Sequence, residues 1–127
     1  MLLSSGWKAR LAFKAMGDFT LEELGDGHFA LAGEMSFETA EKILQVSERP
    51  FEEHTRLEID LSGVTLSDSA GLALLLEWVT WANHTVREIR YSGMPERIMA
   101  IAKTTEVDGL LTRGERWAGF IEAPDTQ

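Results

Sequence analysis

Residues 57–78 read LEIDLSGVTLSDSAGLALLLEW, and this stretch decides the fold. Polar and apolar residues alternate from Arg56 to Leu61, as in a strand with one buried face. The turn-forming pair Ser62-Gly63 is expected to end that strand near Leu61. Polar, cap-forming residues then precede an apolar run, which marks the start of a helix. The stretch therefore predicts a strand, a loop and a helix.

The predicted helix is unusually apolar, because Glu77 is the only formally charged residue between Ser69 and Thr85. An ordinary surface helix has a single apolar stripe, whereas this one has two. The first comprises Leu72, Leu75, Leu76, Val79 and Ala82, and the second comprises Leu74, Trp78 and Trp81. Large aromatic residues at helical spacing usually face a core, but exposed tryptophan is also enriched in protein interfaces. Both interpretations remain open for Trp78 and Trp81.

The rest of the chain supplies further strands and helices around this centre. Two short alternating runs, 19–24 and 28–33, flank the turn Gly25-Asp26-Gly27 and predict a β-hairpin. A helix capped by Ser36 follows, with Phe37, Ala40, Ile43 and Leu44 at helical spacing and its end near Ser47. Residues 48–54 are expected to form a loop. Later elements are a strand over 86–91, a helix opened by Pro95, a short helix over 107–111 and an edge strand over 117–121. The predicted class is α/β, with one mixed sheet of four or five strands and helices packed against it.

Composition limits what the protein can bind. The 127 residues suit one domain, and the net charge of −9 argues against nucleic acid, whose phosphates require an excess of lysine and arginine. The chain has no cysteine, so disulfides and cysteine-based metal sites are excluded. Its longest apolar run, residues 70–82, is too short to cross a membrane. An acidic protein of this kind favours partners that carry basic patches.

The two ends of the chain differ from its centre. Residues 1–17 carry Lys8, Arg10 and Lys14 as their only charges and lack the pattern of a secretory signal. We expect a loose N-terminal extension there rather than a short amphipathic helix. Residues 18–122 are expected to form the domain and residues 123–127 a C-terminal tail.

Motifs for catalysis are missing from the sequence. His28, His54 and His84 are far apart and form none of the pairs typical of zinc enzymes. There is no phosphate-binding Gly-x-x-x-x-Gly-Lys loop, and Ser69 lacks the Gly-x-Ser-x-Gly context of a hydrolase nucleophile. We therefore predict no catalytic, cofactor-binding or metal-binding residues, and a binding protein rather than an enzyme.

The strand 57–64 followed by Asp68-Ser69-Ala70-Gly71-Leu72 resembles the core of a STAS domain, the fold of bacterial anti-sigma-factor antagonists. More narrowly, residues 71–78 and the later segment 91–95 resemble the MlaB-like branch of that family. Members of this branch are cytoplasmic STAS subunits of Mla phospholipid-transport ABC complexes. The resemblance covers roughly residues 18–111.

The resemblance implies a non-catalytic subunit that binds the ATP-binding subunit of an Mla-type transporter. Through it the chain would associate with the membrane permease, so its expected location is cytoplasmic and peripheral to the inner membrane, without inserting itself. The contact surface that the family implies lies on the start of the apolar helix and on the helix after it. The residues expected to bind the partner are Asp68, Ser69, Ala70, Gly71, Ala73, Leu74, Trp78, Met94 and Arg97.

Ser69 carries a second, regulatory interpretation. In the sigma-factor branch its position is the serine that a partner kinase phosphorylates, so Ser69 is a candidate phosphorylation site and an anti-sigma-factor antagonist is the alternative function. A hydroxyl in the first turn can also simply cap the helix, and a phosphate there would meet the positive end of the helix dipole. Serine and aspartate are common caps, so this position alone does not separate a structural from a functional role.

Overall fold

The computed structural model describes residues 10–14 and 18–112 of the chain. Over these ranges it contains five strands and four helices. In chain order they are β1 (Arg10–Lys14), β2 (Asp18–Gly25), β3 (His28–Met35), α1 (Ala40–Glu52), β4 (Arg56–Ser67), α2 (Ser69–His84), β5 (Glu88–Ser92), α3 (Glu96–Thr104) and α4 (Asp108–Thr112).

The strands form one mixed sheet in the order β1-β2-β3-β4-β5. β1, β2 and β3 pair antiparallel, whereas β3 with β4 and β4 with β5 pair parallel. Helices α1 and α2 make the two crossovers between the parallel strands, as parallel pairing requires. The predicted α/β class and mixed sheet are confirmed.

The hairpin between β2 and β3 also follows the prediction. Asp26 and Gly27 have φ angles of 55° and 81°, the left-handed conformation that a tight hairpin turn needs. A Cβ on Gly27 would lie 2.2 Å from the Arg56 carbonyl oxygen at the start of β4, so the turn packs closely against the neighbouring strand.

Strand β4 is longer than the sequence predicts. It does not end near Leu61 but continues through Ser62-Gly63 to Ser67. Two register shifts against β3 accommodate the extra residues, and Asp60 Oδ1 accepts a hydrogen bond from the Ser62 amide at the first of them, 2.9 Å away. Bulges of this kind let a strand pass through turn-forming residues without losing its pairing. The added length carries β4 directly to Asp68.

Helix α1 begins and ends later than predicted. Its N-cap is Thr39 rather than Ser36, and it runs through Pro50 to Glu52, across most of the segment expected to be a loop. The Phe51 side chain stabilises this last turn, because it is buried against Phe29 and Trp78 with ring centroids 4.8 and 5.0 Å away. Arg87 then donates hydrogen bonds to the Glu52 and His54 carbonyl oxygens, which satisfies the end of the helix.

The core lies between one face of the sheet and the helices. Alternate residues of strands β2 to β5 point into it, among them Leu21, Leu31, Ile59 and Ile89, while the intervening residues lie on the opposite, more polar face. Helix α2 packs on the sheet and has α1 on one side and α3 and α4 on the other. Because it is enclosed on three sides, it buries most of both apolar stripes, with Leu76 and Trp81 only partly buried.

Strand β1 corrects the expectation of a loose N-terminal tail at residues 10–14. These residues pair with β2 from Arg10 opposite Glu22 to Lys14 opposite Asp18, which extends the sheet by one strand. The predicted edge strand 117–121 and the tail 123–127 lie outside the described residues. No helix in residues 10–14 and 18–112 has the length and apolar character needed to cross a bilayer.

Candidate functional site

The residues singled out by the sequence lie at the carboxyl ends of the parallel strands. There β3 leads into the turn 36–39, β4 into Asp68 at the start of α2, and β5 through Gly93 and Met94 into α3. In open α/β sheets this edge is the usual place for ligands and partners, because the loops and helix N-termini converge on it. The fold thus brings the predicted segments together.

Asp68 is the polar centre of this edge. Its Oδ1 accepts hydrogen bonds from the amides of Ala70 and Gly71, at 2.9 and 3.3 Å, and so caps α2. Its Oδ2 accepts a third hydrogen bond, from the Phe37 amide 3.1 Å away in the turn before α1. A carboxylate at a helix N-terminus also interacts favourably with the helix dipole. One side chain therefore caps a helix and holds a neighbouring loop in place.

The turn 36–39 is fixed from its other side by buried hydroxyl groups. The Thr39 hydroxyl accepts from the Ser36 amide and donates to the Glu34 carbonyl oxygen, at 3.0 and 2.8 Å. The Ser36 hydroxyl donates to the Glu34 carboxylate and accepts from the Glu38 amide. Ser36 and Thr39 are both buried, so the turn that presents Phe37 is a defined structure.

Ser69 is the first residue of α2, not its cap. The capping oxygen belongs to Asp68, so the expected capping role of Ser69 needs correction. Its side chain is exposed and its hydroxyl makes no hydrogen bond within the described part of the chain. The three histidines bond elsewhere, to partners that include Gly25, Glu23 and Thr80, so none of them activates this serine as a nucleophile. The hydroxyl remains accessible to a partner protein or a modifying enzyme.

Two further helix residues share this exposed surface. Ala70 is partly exposed and Ala73, one turn after Ser69, is exposed. Small side chains leave the first two turns of α2 open to close approach by another protein. Glu77 and Thr80 continue the exposed stripe toward the other end of the helix.

Gly71, by contrast, faces inward and acts through packing. A Cβ at this position would lie 2.5 Å from the Met35 carbonyl oxygen and 3.2 Å from two atoms of the Met35 side chain. Glycine allows α2 to begin this close to the end of β3. The prediction that Gly71 contacts a partner therefore needs correction, because the residue is buried.

Leu74 and Trp78 are core residues, which corrects their predicted place on the docking surface. Leu74 is 4% exposed and Trp78 is 2% exposed. The Trp78 indole N–H donates to the Ser47 hydroxyl of α1 at 3.1 Å, and its ring lies against Phe51. Trp81 is partly buried and lies 4.8 Å from the Arg87 guanidinium, in a cation–π contact. The second apolar stripe of α2 faces α1.

A groove lies beside the start of α2, with a volume of about 1040 Å³. Its walls are the turn 36–38, the end of β4 and the start of α3, so it lies directly against Asp68. Of the predicted α3 residues, Arg97 is exposed and lines the groove, whereas Met94 is partly buried against the core. The structure therefore places Arg97 with Asp68 and leaves Met94 in a mainly structural position.

Sequence reasoning missed the two most prominent apolar residues of this groove. Phe37 is 83% exposed and Leu66 is 56% exposed. The helical spacing predicts that Phe37 belongs to the apolar stripe of α1, but the helix starts only after it, at Ala40. Leu66 had a readable signal, because it is out of phase with Leu57, Ile59 and Leu61 in the period-two alternation of β4.

Comparison with known proteins agrees with the fold. A family model described as "Mlab, STAS domain" matches residues 19–112. Among solved structures, the anti-sigma factor antagonist SpoIIAA in its unphosphorylated form superposes with a TM-score of 0.58. It shares 15% sequence identity, and the alignment covers 74% of this chain and 85% of SpoIIAA. This likeness shows a common fold. No curated protein matches the sequence significantly.

Proposed function

This chain belongs to the STAS domain family described as Mlab, and we propose that it is a non-catalytic subunit that binds the ATP-binding subunit of an Mla-type phospholipid-transport ABC complex. STAS domains are in general binding domains. Through the ATP-binding subunit the chain would be held at the cytoplasmic side of the inner membrane. The surface proposed for this contact is the start of α2 with the turn beside it.

One observation carries the proposal. The first two turns of α2 expose Ser69 and Ala73, while Phe37 protrudes beside them with 83% of its surface exposed. Water-exposed aromatic residues on an ordered loop are favourable anchors for a protein partner, because little conformational entropy is lost when they are buried. The name of the matching family hints at a role in an Mla system, and the ATP-binding subunit as partner is our proposal.

The proposal is tested by co-purification with a purified ATP-binding subunit of an Mla-type transporter. Ser69→Glu should weaken the complex, because it adds a charge to the contact surface. The same change should not harm the fold, since a carboxylate in the first turn of a helix is favourable. Thr80→Glu is the matched control, because Thr80 is exposed on the same helix but lies three turns away. Equal retention of both variants would remove this surface from the proposal.

A second candidate function is an anti-sigma-factor antagonist controlled by phosphorylation of Ser69. The observations that favour it are the fold shared with SpoIIAA and the exposed, unbonded hydroxyl of Ser69. A phosphate there would sit at the positive end of α2 but beside the Asp68 carboxylate, so it would add strong negative charge to the docking surface. Intact-mass measurement after incubation with an anti-sigma kinase tests it. Phosphate transfer that Ser69→Ala abolishes would support this function over the transporter subunit.

A further inference from the structure

The groove beside α2 combines exposed apolar side chains with an acidic rim. Phe37 and Leu66 give it two large apolar surfaces, from two different walls. Covering an exposed apolar side chain removes its surface from water, which stabilises a complex by about 25 cal/mol per Å² of apolar surface. Two such residues facing one groove therefore favour an occupant with a large apolar side chain of its own.

The charged residues around the groove restrict the occupant further. Four carboxylates line it, against the single guanidinium of Arg97; they belong to Glu34, Glu38, Asp68 and Glu96. Glu34 and Asp68 accept hydrogen bonds from within the fold. Glu38 and Glu96 are exposed and have no ion-pair partner among the described residues. Their charges, one in the turn 36–38 and one at the start of α3, are thus available to a partner.

We propose that this groove receives a basic segment of the partner protein, in which lysine or arginine residues flank a large apolar side chain. The apolar side chain would pack on Phe37 and Leu66, and the basic groups would pair with Glu38 and Glu96. The identification of that partner as the ATP-binding subunit rests on the function proposed above. An anionic lipid surface is disfavoured, because the same carboxylates would repel it.

The turn that carries Phe37 is already ordered for this role. The Phe37 amide is bonded to Asp68, and the buried Ser36 and Thr39 hydroxyls hold the residues on either side. A preformed anchor loses less entropy on binding than a flexible one. Asp68 thus links the groove to the start of α2, so one partner can contact both surfaces.

The groove can be tested with a labelled synthetic peptide in which arginines flank a cluster of leucines, using the full chain and fluorescence anisotropy. The peptide should bind the wild-type chain. Phe37→Ser and the double variant Glu38→Lys/Glu96→Lys should each weaken binding by at least about tenfold. Leu24→Ser and the double variant Glu48→Lys/Glu53→Lys are the matched controls, because these residues are exposed outside the groove lining and the two double variants change the net charge equally. Both controls should leave binding unchanged. A second peptide with glutamates in place of the arginines should not bind.

Equal loss of binding in Glu48→Lys/Glu53→Lys and in Glu38→Lys/Glu96→Lys would mean attraction to the overall negative charge and would overturn the proposal. Failure of the arginine–leucine peptide to bind the wild-type chain would overturn it too, as would binding of phosphatidylglycerol vesicles at the groove. The same variants are then measured against the ATP-binding subunit. If that subunit binds but tolerates the groove variants, the groove proposal fails and the proposed function stands. If the peptide binds at the groove but the ATP-binding subunit does not bind the chain, the proposed function fails and the groove's specificity stands.

Discussion

The Asp68 carboxylate holds the Phe37 amide at 3.1 Å while its other oxygen caps α2. Two segments that are 31 residues apart in the chain are thereby held by one side chain at the edge of the sheet. The helix that presents Ser69 and the turn that presents Phe37 are therefore one surface, and disturbing Asp68 should affect both.

Replacing Asp68 with alanine should lower the free energy of unfolding by about 1–2 kcal/mol, because α2 loses its cap. The Phe37 amide would lose its acceptor as well, so its hydrogen exchange should accelerate. Asp68→Asn is the informative comparison, because one remaining oxygen can still cap the helix while the amide nitrogen cannot accept from Phe37. Urea denaturation and amide exchange measured by NMR would check both effects. An alanine variant with unchanged stability and unchanged exchange at Phe37 would contradict this role.

Replacing Trp78 with alanine should cost about 3–5 kcal/mol of folding free energy, as expected for a large aromatic side chain in a core. Trp78→Phe should cost less, since it keeps most of the packing but leaves the Ser47 hydroxyl without its indole donor. Both values follow from denaturation curves of the isolated chain. A loss of less than about 1 kcal/mol in the alanine variant would return Trp78 to the surface role that the sequence left open.

Replacing Gly71 with alanine should destabilise the fold by about 1–3 kcal/mol, although alanine normally favours a helix. The added methyl group would have to displace the Met35 backbone, and a strand in the sheet interior cannot move freely. Ser69→Ala is the control, because that side chain is exposed and should shift stability by no more than about 0.5 kcal/mol. A stabilised Gly71→Ala protein would show that the contact between α2 and β3 is loose.

Replacing Val86 with glycine should stabilise the protein, by up to about 1 kcal/mol. Val86 has a φ angle of 58°, a left-handed conformation that β-branched residues strongly disfavour. Its side chain is 74% exposed, so little packing is lost on its removal. Glycine adopts this conformation without strain, although it also gains entropy in the unfolded chain. Thermal unfolding would measure the balance, and a clear loss of stability would mean that the valine side chain contributes more than its exposure indicates.

Tyr91 gives a pH-dependent prediction at alkaline pH. Its hydroxyl donates to the Leu75 carbonyl oxygen at 2.6 Å, and burial raises the pKa of this phenol well above its usual value. The unfolded chain releases the proton near pH 10 but the folded chain retains it, so this contribution to stability is complete below about pH 10 and is lost as the pH rises further. Tyr91 is the only tyrosine, so ultraviolet absorbance reports tyrosinate from this group alone. Tyrosinate should appear together with unfolding; its appearance near pH 10 in the folded protein would contradict the raised pKa.

The parts of the fold that the sequence predicts are those governed by local patterns. The hairpin turn at Asp26-Gly27, the strand beginning at Arg56 and the helix beginning at Ser69 all follow from alternation, turn residues and caps. The length of β4 could not be read in this way, because Ser62-Gly63 is compatible both with a turn and with a bulge, and only pairing with β3 selects the bulge.

The site shows the same division between local and tertiary information. The position of Asp68 at the start of α2 is local, but its bond to Phe37 depends on where the end of β3 lies. Whether Trp78 faces solvent or α1 depends on a helix that starts near residue 40, and no feature of α2 itself reports it. The amphipathic pattern also placed Phe37 within α1. In the structure the Thr39 hydroxyl bonds to the Ser36 amide and the Glu34 carbonyl oxygen, and the Thr39 amide bonds to the Ser36 carbonyl oxygen, so α1 starts only after Phe37.

The start of α2 is the surface proposed to bind an Mla-type ATP-binding subunit. The most direct measurement is the dissociation constant of the complex by calorimetry for wild type, Ala73→Arg and Thr80→Arg. Both substitutions place the same side chain on exposed positions of one helix, so they change the net charge equally. We expect Ala73→Arg to weaken binding at least tenfold, the equivalent of about 1.4 kcal/mol, while Thr80→Arg matches wild type. Equal affinities for all three proteins would contradict it.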